Sequence, residues 1–117
     1  MKMGKLTTHV LDTARGVPAS GMRIDLLGGK NGATALLSVS TNADGRTDSP
    51  LLEGNALMAG TYQLVFHVAD YFRRRGDPDA GRFLEHVPVA FVVDDPAGRY
   101  HVPLLVSPWS YSTYRGS

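Results

Sequence analysis

Arg99-Tyr100-His101-Val102-Pro103-Leu104-Leu105-Val106-Ser107 is the stretch that decides the fold. Successive side chains of an extended chain point to opposite faces, so Tyr100, Val102, Leu104 and Val106 share one side and His101, Pro103, Leu105 and Ser107 the other. This predicts a strand with one apolar face for a core and an opposite face that carries an imidazole, a proline and an outward leucine. Two further runs read the same way. Met22, Ile24 and Leu26 oppose Arg23 and Asp25, with Leu27 blurring the pattern, and Tyr62, Leu64, Phe66 and Val68 oppose Gln63 and His67. Val87 to Val93 is apolar on both faces, which predicts a central strand or one covered again at a subunit contact.

Turn chemistry separates these runs: Ala14-Arg15-Gly16-Val17-Pro18, Gly28-Gly29-Lys30-Asn31-Gly32, Asn42-Ala43-Asp44-Gly45 and Asp94-Asp95-Pro96-Ala97-Gly98. A short strand is predicted at Arg46 to Asp48, and a loop between sheet segments at residues 49–60, which contain Pro50, Gly54 and Gly60. Only Ala69 to Arg75 has a helical look, and Gly76-Asp77-Pro78 ends it. Many short strands between turn signals, with one short helix, predict an all-β sandwich.

A chain of 117 residues suits one domain, residues 1–117, with a single modest core. The balance of 12 Lys plus Arg against 11 Asp plus Glu leaves a net charge of +1, too weak a field to recruit nucleic acid or an anionic membrane. Arg73-Arg74-Arg75 reads as a solvated helix end, where cations suit the dipole. With no Cys the chain has neither disulfides nor thiolate metal ligands. The start of the chain lacks an apolar signal region and no run reaches membrane-spanning length, so a cytoplasmic protein is expected.

His9 lies in Lys5-Leu6-Thr7-Thr8-His9-Val10-Leu11-Asp12, where alternation sets Thr7, His9 and Leu11 against Leu6, Thr8 and Val10. His9 and His101 therefore both point away from the interior of the sandwich. His67 and His86 have no polar constellation near them in sequence and read as surface residues. Arg46 follows the Asn42 to Gly45 turn and, on its own, reads as an edge charge. Two histidines without a Cys or a spaced carboxylate are too few for a zinc site unless another strand supplies a third ligand. No phosphate-binding glycine loop and no Gly-x-Ser-x-Gly elbow is present, which disfavours a classical acyl-enzyme. Chain ends are ordinarily frayed, yet Trp109 to Ser117 hold three aromatics, an Arg and several hydroxyls with no acidic group. Such a tail suits docking.

The order of Leu6 to Asp12, Gly16-Val17-Pro18-Ala19, Thr41 to Arg46, Gly60 to Phe66 and Tyr100 to Pro108, closed by Tyr114-Arg115-Gly116-Ser117, resembles the transthyretin-related 5-hydroxyisourate hydrolases over nearly the whole chain. A terminal Tyr-Arg-Gly-Ser separates those enzymes from transthyretin, the hormone carrier. The resemblance implies a transthyretin-like Greek-key sandwich of about eight strands with one short helix, assembled as a homotetramer, a dimer of dimers. It implies hydrolysis of 5-hydroxyisourate without a cofactor or metal. His9, Arg46, His101 and Ser117 match its catalytic positions, and His9, Arg46 and Tyr114 its substrate-binding positions. The alternative it leaves is a carrier that binds an apolar aromatic molecule in the same channel. Trp109 and the Phe83 to Val89 stretch depart from the family pattern, and bear on the shape after the helix and the packing of the tail.

Overall fold

The computed structural model describes residues 3–117. Its strands are β1 (Lys5–Asp12), β2 (Val17–Pro18), β3 (Arg23–Gly28), β4 (Thr34–Ser40), β5 (Leu52–Glu53), β6 (Gly60–His67), β7 (His86–Val93), β8 (Arg99–Val106) and β9 (Tyr111–Thr113), with one α-helix, α1 (Val68–Arg74), after β6. One sheet runs β2-β1-β8-β9, with β5 also on β1, and the other runs β4-β3-β6-β7. The two close on a core that includes Leu6, Ile24, Leu64, Phe66 and Leu104, all fully buried. The alternation of β3, β6 and β8 is realised as expected, since Met22, Ile24, Leu26, Tyr62, Leu64, Phe66, Tyr100, Val102 and Leu104 face inward. Leu27 blurs its pattern because the β3–β4 register shifts between Leu26 and Leu27.

Four expectations need correction. No strand forms at Arg46–Asp48, because Asn42 holds that segment as a compact loop. Residues 49–60 contain the short strand β5 and a 3-10 turn at Gly54–Ala56. β7 is an edge strand, not a central one. Its outer side chains Pro88, Ala90 and Val92 are exposed, and an edge tolerates the missing donor of Pro88. His67 is not a solvated surface residue: its Nε2 lies 2.8 Å from Asp25 Oδ2, and its ring meets the His86 ring at 4.4 Å between centroids. Burial opposes ionisation of Asp25, but hydrogen bonds from His67, Ser38 and Arg23 outweigh it and bring the carboxyl down to about 2.

The helix begins and ends one residue earlier than expected. It stops where Gly76 takes φ 72, which lets its N–H bond to Arg73 O and the Asp77 N–H to Phe72 O. That is the paired pattern by which a left-handed glycine satisfies the last carbonyls of a helix. Tyr71 pins the helix to the other sheet, donating to buried Asp12 Oδ2 at 2.9 Å. A hydrogen bond to a charged group contributes about 1.5–3 kcal/mol. Burial, then the Asp12 contact, push the Tyr71 hydroxyl above its usual range. Among the described residues no helix is long and apolar enough to cross a membrane.

Candidate active site

The site is built on the parallel β1–β8 ladder, which joins the two ends of the chain. In its register Thr7 lies beside His101 and His9 beside Pro103, so both imidazoles rise from the same outward face, on neighbouring strands and two residues apart. Leu6, Thr8 and Val10 of β1 and Val102 and Leu104 of β8 are buried on the inner face. The ladder is therefore fixed from below. His101 and Pro103 turn their carbonyls toward the tail, where Gly116 N–H reaches His101 O at 2.7 Å and Thr113 Oγ1 reaches Pro103 O at 2.7 Å. The absent N–H of Pro103 faces the same edge, because a strand residue presents both backbone groups to one side. The β8–β9 pairing accordingly stops at Thr113 and resumes only as the His101–Gly116 bridge.

Between β5 and β2 the free edge of β1 is covered by the loop at residues 42–46. The Asn42 side chain folds it, accepting from Asp44 N–H at 2.9 Å and Arg46 N–H at 3.2 Å while its own amide donates to Asp48 Oδ1. Gly45 O accepts from Val10 N–H. Gly45 has φ 77, and a Cβ there would sit 2.3 Å from Val10 O, so only glycine permits this approach. The docked loop brings Asp44 O within 2.8 Å of His9 Nε2. A carbonyl only accepts, so neutral His9 carries its proton on Nε2 and leaves Nδ1 as a lone pair. The same loop sets Arg46 on the rim of a cavity of about 210 Å³ with Thr7, Thr8 and Asp48.

Among the described residues no hydrogen bond or ion pair engages the Arg46 guanidinium, and the residue is exposed. Its field still reaches the site. Burial first, then Arg46 and His9, push the half-buried His101 imidazole below its ordinary value. The neutral form of His101, which can accept a proton, is thus favoured, within the field of a cation suited to a developing oxyanion. His101 Nδ1 lies 2.9 Å from Thr7 Oγ1, a contact that sequence reasoning missed. The clue was available in principle, since Thr7 shares the outward face of His9, but the β1–β8 register was not.

The tail reaches the site through its backbone. A Cβ on Gly116 would lie 2.6 Å from His101 Cδ2, so the glycine lets the tail lie against the imidazole. Arg115 anchors the approach, donating to Arg99 O at 2.9 Å with its guanidinium 4.3 Å above the Tyr100 ring. Tyr114 falls opposite Pro103 as the register between Thr113 and Gly116 continues, and its side chain is exposed. Ser117 follows Gly116 and is exposed. Among the described residues, no hydrogen bond joins the side chains of Tyr114 or Ser117 to His9, Arg46 or His101. The structure therefore brings His9 and His101 to one face, with Arg46 on the loop at the β1 edge close enough for its charge to act on His101 and the tail backbone at the β8 edge. The two departures from the family pattern also meet, with Trp109 stacked on Phe83 and its Nε1–H donating to Asp79.

Comparison with known proteins places the chain and its fold. A 5-hydroxyisourate hydrolase 2 of Rhizobium meliloti (strain 1021) is 56% identical over 119 residues, covering 99% of this chain and 98% of the relative. The solved 5-hydroxyisourate hydrolase of Klebsiella pneumoniae superposes with a TM-score of 0.78 at 34% identity, over 97% of this chain and 94% of that one. Transthyretin from Sparus aurata superposes at 0.84 with 25% identity, over 96% of each chain. A solved (S)-allantoin synthase superposes at 0.93 with 45% identity over 99% of this chain, which spans only 44% of that longer protein. The model of the HIUase/Transthyretin family matches residues 6–116. With its two-sheet sandwich and this match over nearly its full length, the chain belongs to the HIUase/Transthyretin family.

Proposed function

We propose that this chain, acting as a single domain in the cytoplasm, hydrolyses 5-hydroxyisourate to 2-oxo-4-hydroxy-4-carboxy-5-ureidoimidazoline in urate catabolism. The observation that carries the reading is the outward face of the β1–β8 ladder, where two separately anchored imidazoles stand beside Arg46. The substrate is a flat, electron-poor ring with several carbonyls. A neutral imidazole accepts a proton from water as its oxygen bonds to a ring carbonyl carbon. Arg46 stabilises the oxyanion that forms. When the intermediate collapses, the C–N bond breaks and the departing nitrogen takes a proton returned through the histidine pair. Tyr114 borders the ring of the bound substrate, and the Ser117 hydroxyl or terminal carboxylate completes the polar network. The reaction as written draws on no cofactor. A carrier of apolar aromatic molecules needs an open apolar channel, and this charged, hydrogen-bonded face does not supply one.

The His101 assignment has a direct check. Because burial and Arg46 push its imidazole down, the neutral form persists to lower pH than in a free histidine, whose midpoint is about 6.5. Titration of the His101 ring protons by NMR is expected to give a midpoint below that value. A midpoint at or above it contradicts the downward push of burial and Arg46 on this ring.

The active species is a homotetramer, a dimer of dimers. The free edge of β7, exposed Val92 on its outer face and half-buried Leu105 beside the histidines support this, since a shallow face encloses a small substrate only when another subunit covers it. Sedimentation at assay concentration checks it: a tetramer is expected, and a fully active monomer contradicts it.

A further inference from the structure

The two imidazoles are held by opposite nitrogens. His9 is anchored through Nε2 by a backbone carbonyl at 2.8 Å, and His101 through Nδ1 by the Thr7 hydroxyl at 2.9 Å. Thr7 and His101 are register partners on adjacent strands, so no flexible segment lies between hydroxyl and ring. A β-branched side chain has few χ1 states, which holds the oxygen in place. Among the described residues His101 is the one hydrogen-bond partner of that hydroxyl. Its neighbour Thr8 differs, since the Thr8 hydroxyl is buried and donates to Val102 O at 2.7 Å. The Thr8 hydroxyl ties strand to strand, whereas the Thr7 hydroxyl bonds to the imidazole. On the ring's other edge Gly116 abuts Cδ2, the carbon next to Nε2.

We propose that Thr7 is a positioning residue for His101: its hydroxyl accepts from Nδ1–H, fixes that tautomer, and presents Nε2 as the proton-accepting atom of the ring. The direction of the bond rests on the hydrolase reading, because a base must offer a lone pair and Nε2 is the nitrogen that Thr7 leaves available. The consequence is that His9 and His101 both present an unprotonated nitrogen, Nδ1 from one and Nε2 from the other. The loop docked on β1 sets the first through Asp44, and a side chain of β1 itself sets the second.

The test compares Thr7→Val, which keeps the shape and removes the hydroxyl, with Thr7→Ser, which keeps the hydroxyl. Long-range ¹H–¹⁵N spectra of the free protein near pH 8 report the His101 tautomer, and steady-state kinetics on 5-hydroxyisourate report kcat and KM. The wild type is expected to show the Nδ1–H form, and Thr7→Val to lose it. With that loss kcat falls roughly 10- to 100-fold, the scale known for removing the orienting partner of a metal-bound histidine, while KM is little changed. Thr7→Ser restores both readouts. A wild-type ring in the Nε2–H form, or a folded Thr7→Val protein that keeps the tautomer and the wild-type kcat, overturns the proposal. Failure of the hydrolase reading looks different. The wild type then leaves substrate decay at its spontaneous rate, and the spectra of the free protein alone sustain or overturn the hold of Thr7 on the ring.

Discussion

His101→Ala is expected to lower kcat/KM for 5-hydroxyisourate by roughly 10²- to 10⁴-fold, the usual worth of a positioned proton-transfer group. His9→Ala should lose a similar amount. The two rings share one face of one ladder, with His9 acting on the titration of His101, and in the proposed mechanism they act as a single proton-transfer unit. Losses within such a unit do not multiply. The double variant should therefore be little worse than the poorer single one. Kinetics on the four proteins, with folding checked by circular dichroism, decide the matter. Independent, multiplicative losses would dissolve the shared unit, and near wild-type activity in either folded single variant would remove that histidine from the mechanism.

Deletion of Tyr114–Ser117 is expected to abolish catalysis while leaving the fold intact. It removes the Gly116 bond to His101 O, the Arg115 bond to Arg99 O and the guanidinium above Tyr100. Of these only the cation–π contact touches a core side chain, the ring of Tyr100. Each hydrogen bond is worth about 0.5–1.5 kcal/mol and an exposed cation–π contact about 0.5–1 kcal/mol, so a cooperative transition survives. The effect on the site is larger. The backbone that flanks the His101 ring disappears, together with the proposed substrate contact of Tyr114 and the polar end group of Ser117, and the face opens to larger apolar ligands. A truncated protein that stays assembled and works at the full rate would show the tail to be dispensable.

The strands most legible in the sequence were those with one clean apolar face. β3, β6 and β8 carry their own alternation, and the inward positions of Met22, Leu64 and Leu104 follow from it. His9 and His101 were legible as outward residues for the same reason. Their proximity was not, because it depends on a parallel pairing between the first long strand and the last long one, which no local pattern encodes. Arg46 was visible only through the family resemblance. Its placement depends on Asn42 and on Gly45 docking against Val10, a tertiary contact that replaced the expected strand with a loop. For β7 the sequence left two readings, and the edge position removes the central strand while the exposed outer face leaves burial at a subunit contact. The Asp12–Tyr71 and Asp25–His67 pairs join residues 59 and 42 positions apart. Neither had a signal in the sequence.

The central claim is that this face accelerates the hydrolysis of 5-hydroxyisourate. Substrate generated from urate by urate oxidase decays spontaneously, and its ultraviolet absorbance reports the rate. Addition of the wild-type protein is predicted to speed the decay in proportion to its concentration, with the His9→Ala, His101→Ala double variant returning it close to the spontaneous rate. A decay that the wild-type protein leaves unchanged, or that the double variant accelerates equally, would contradict the account.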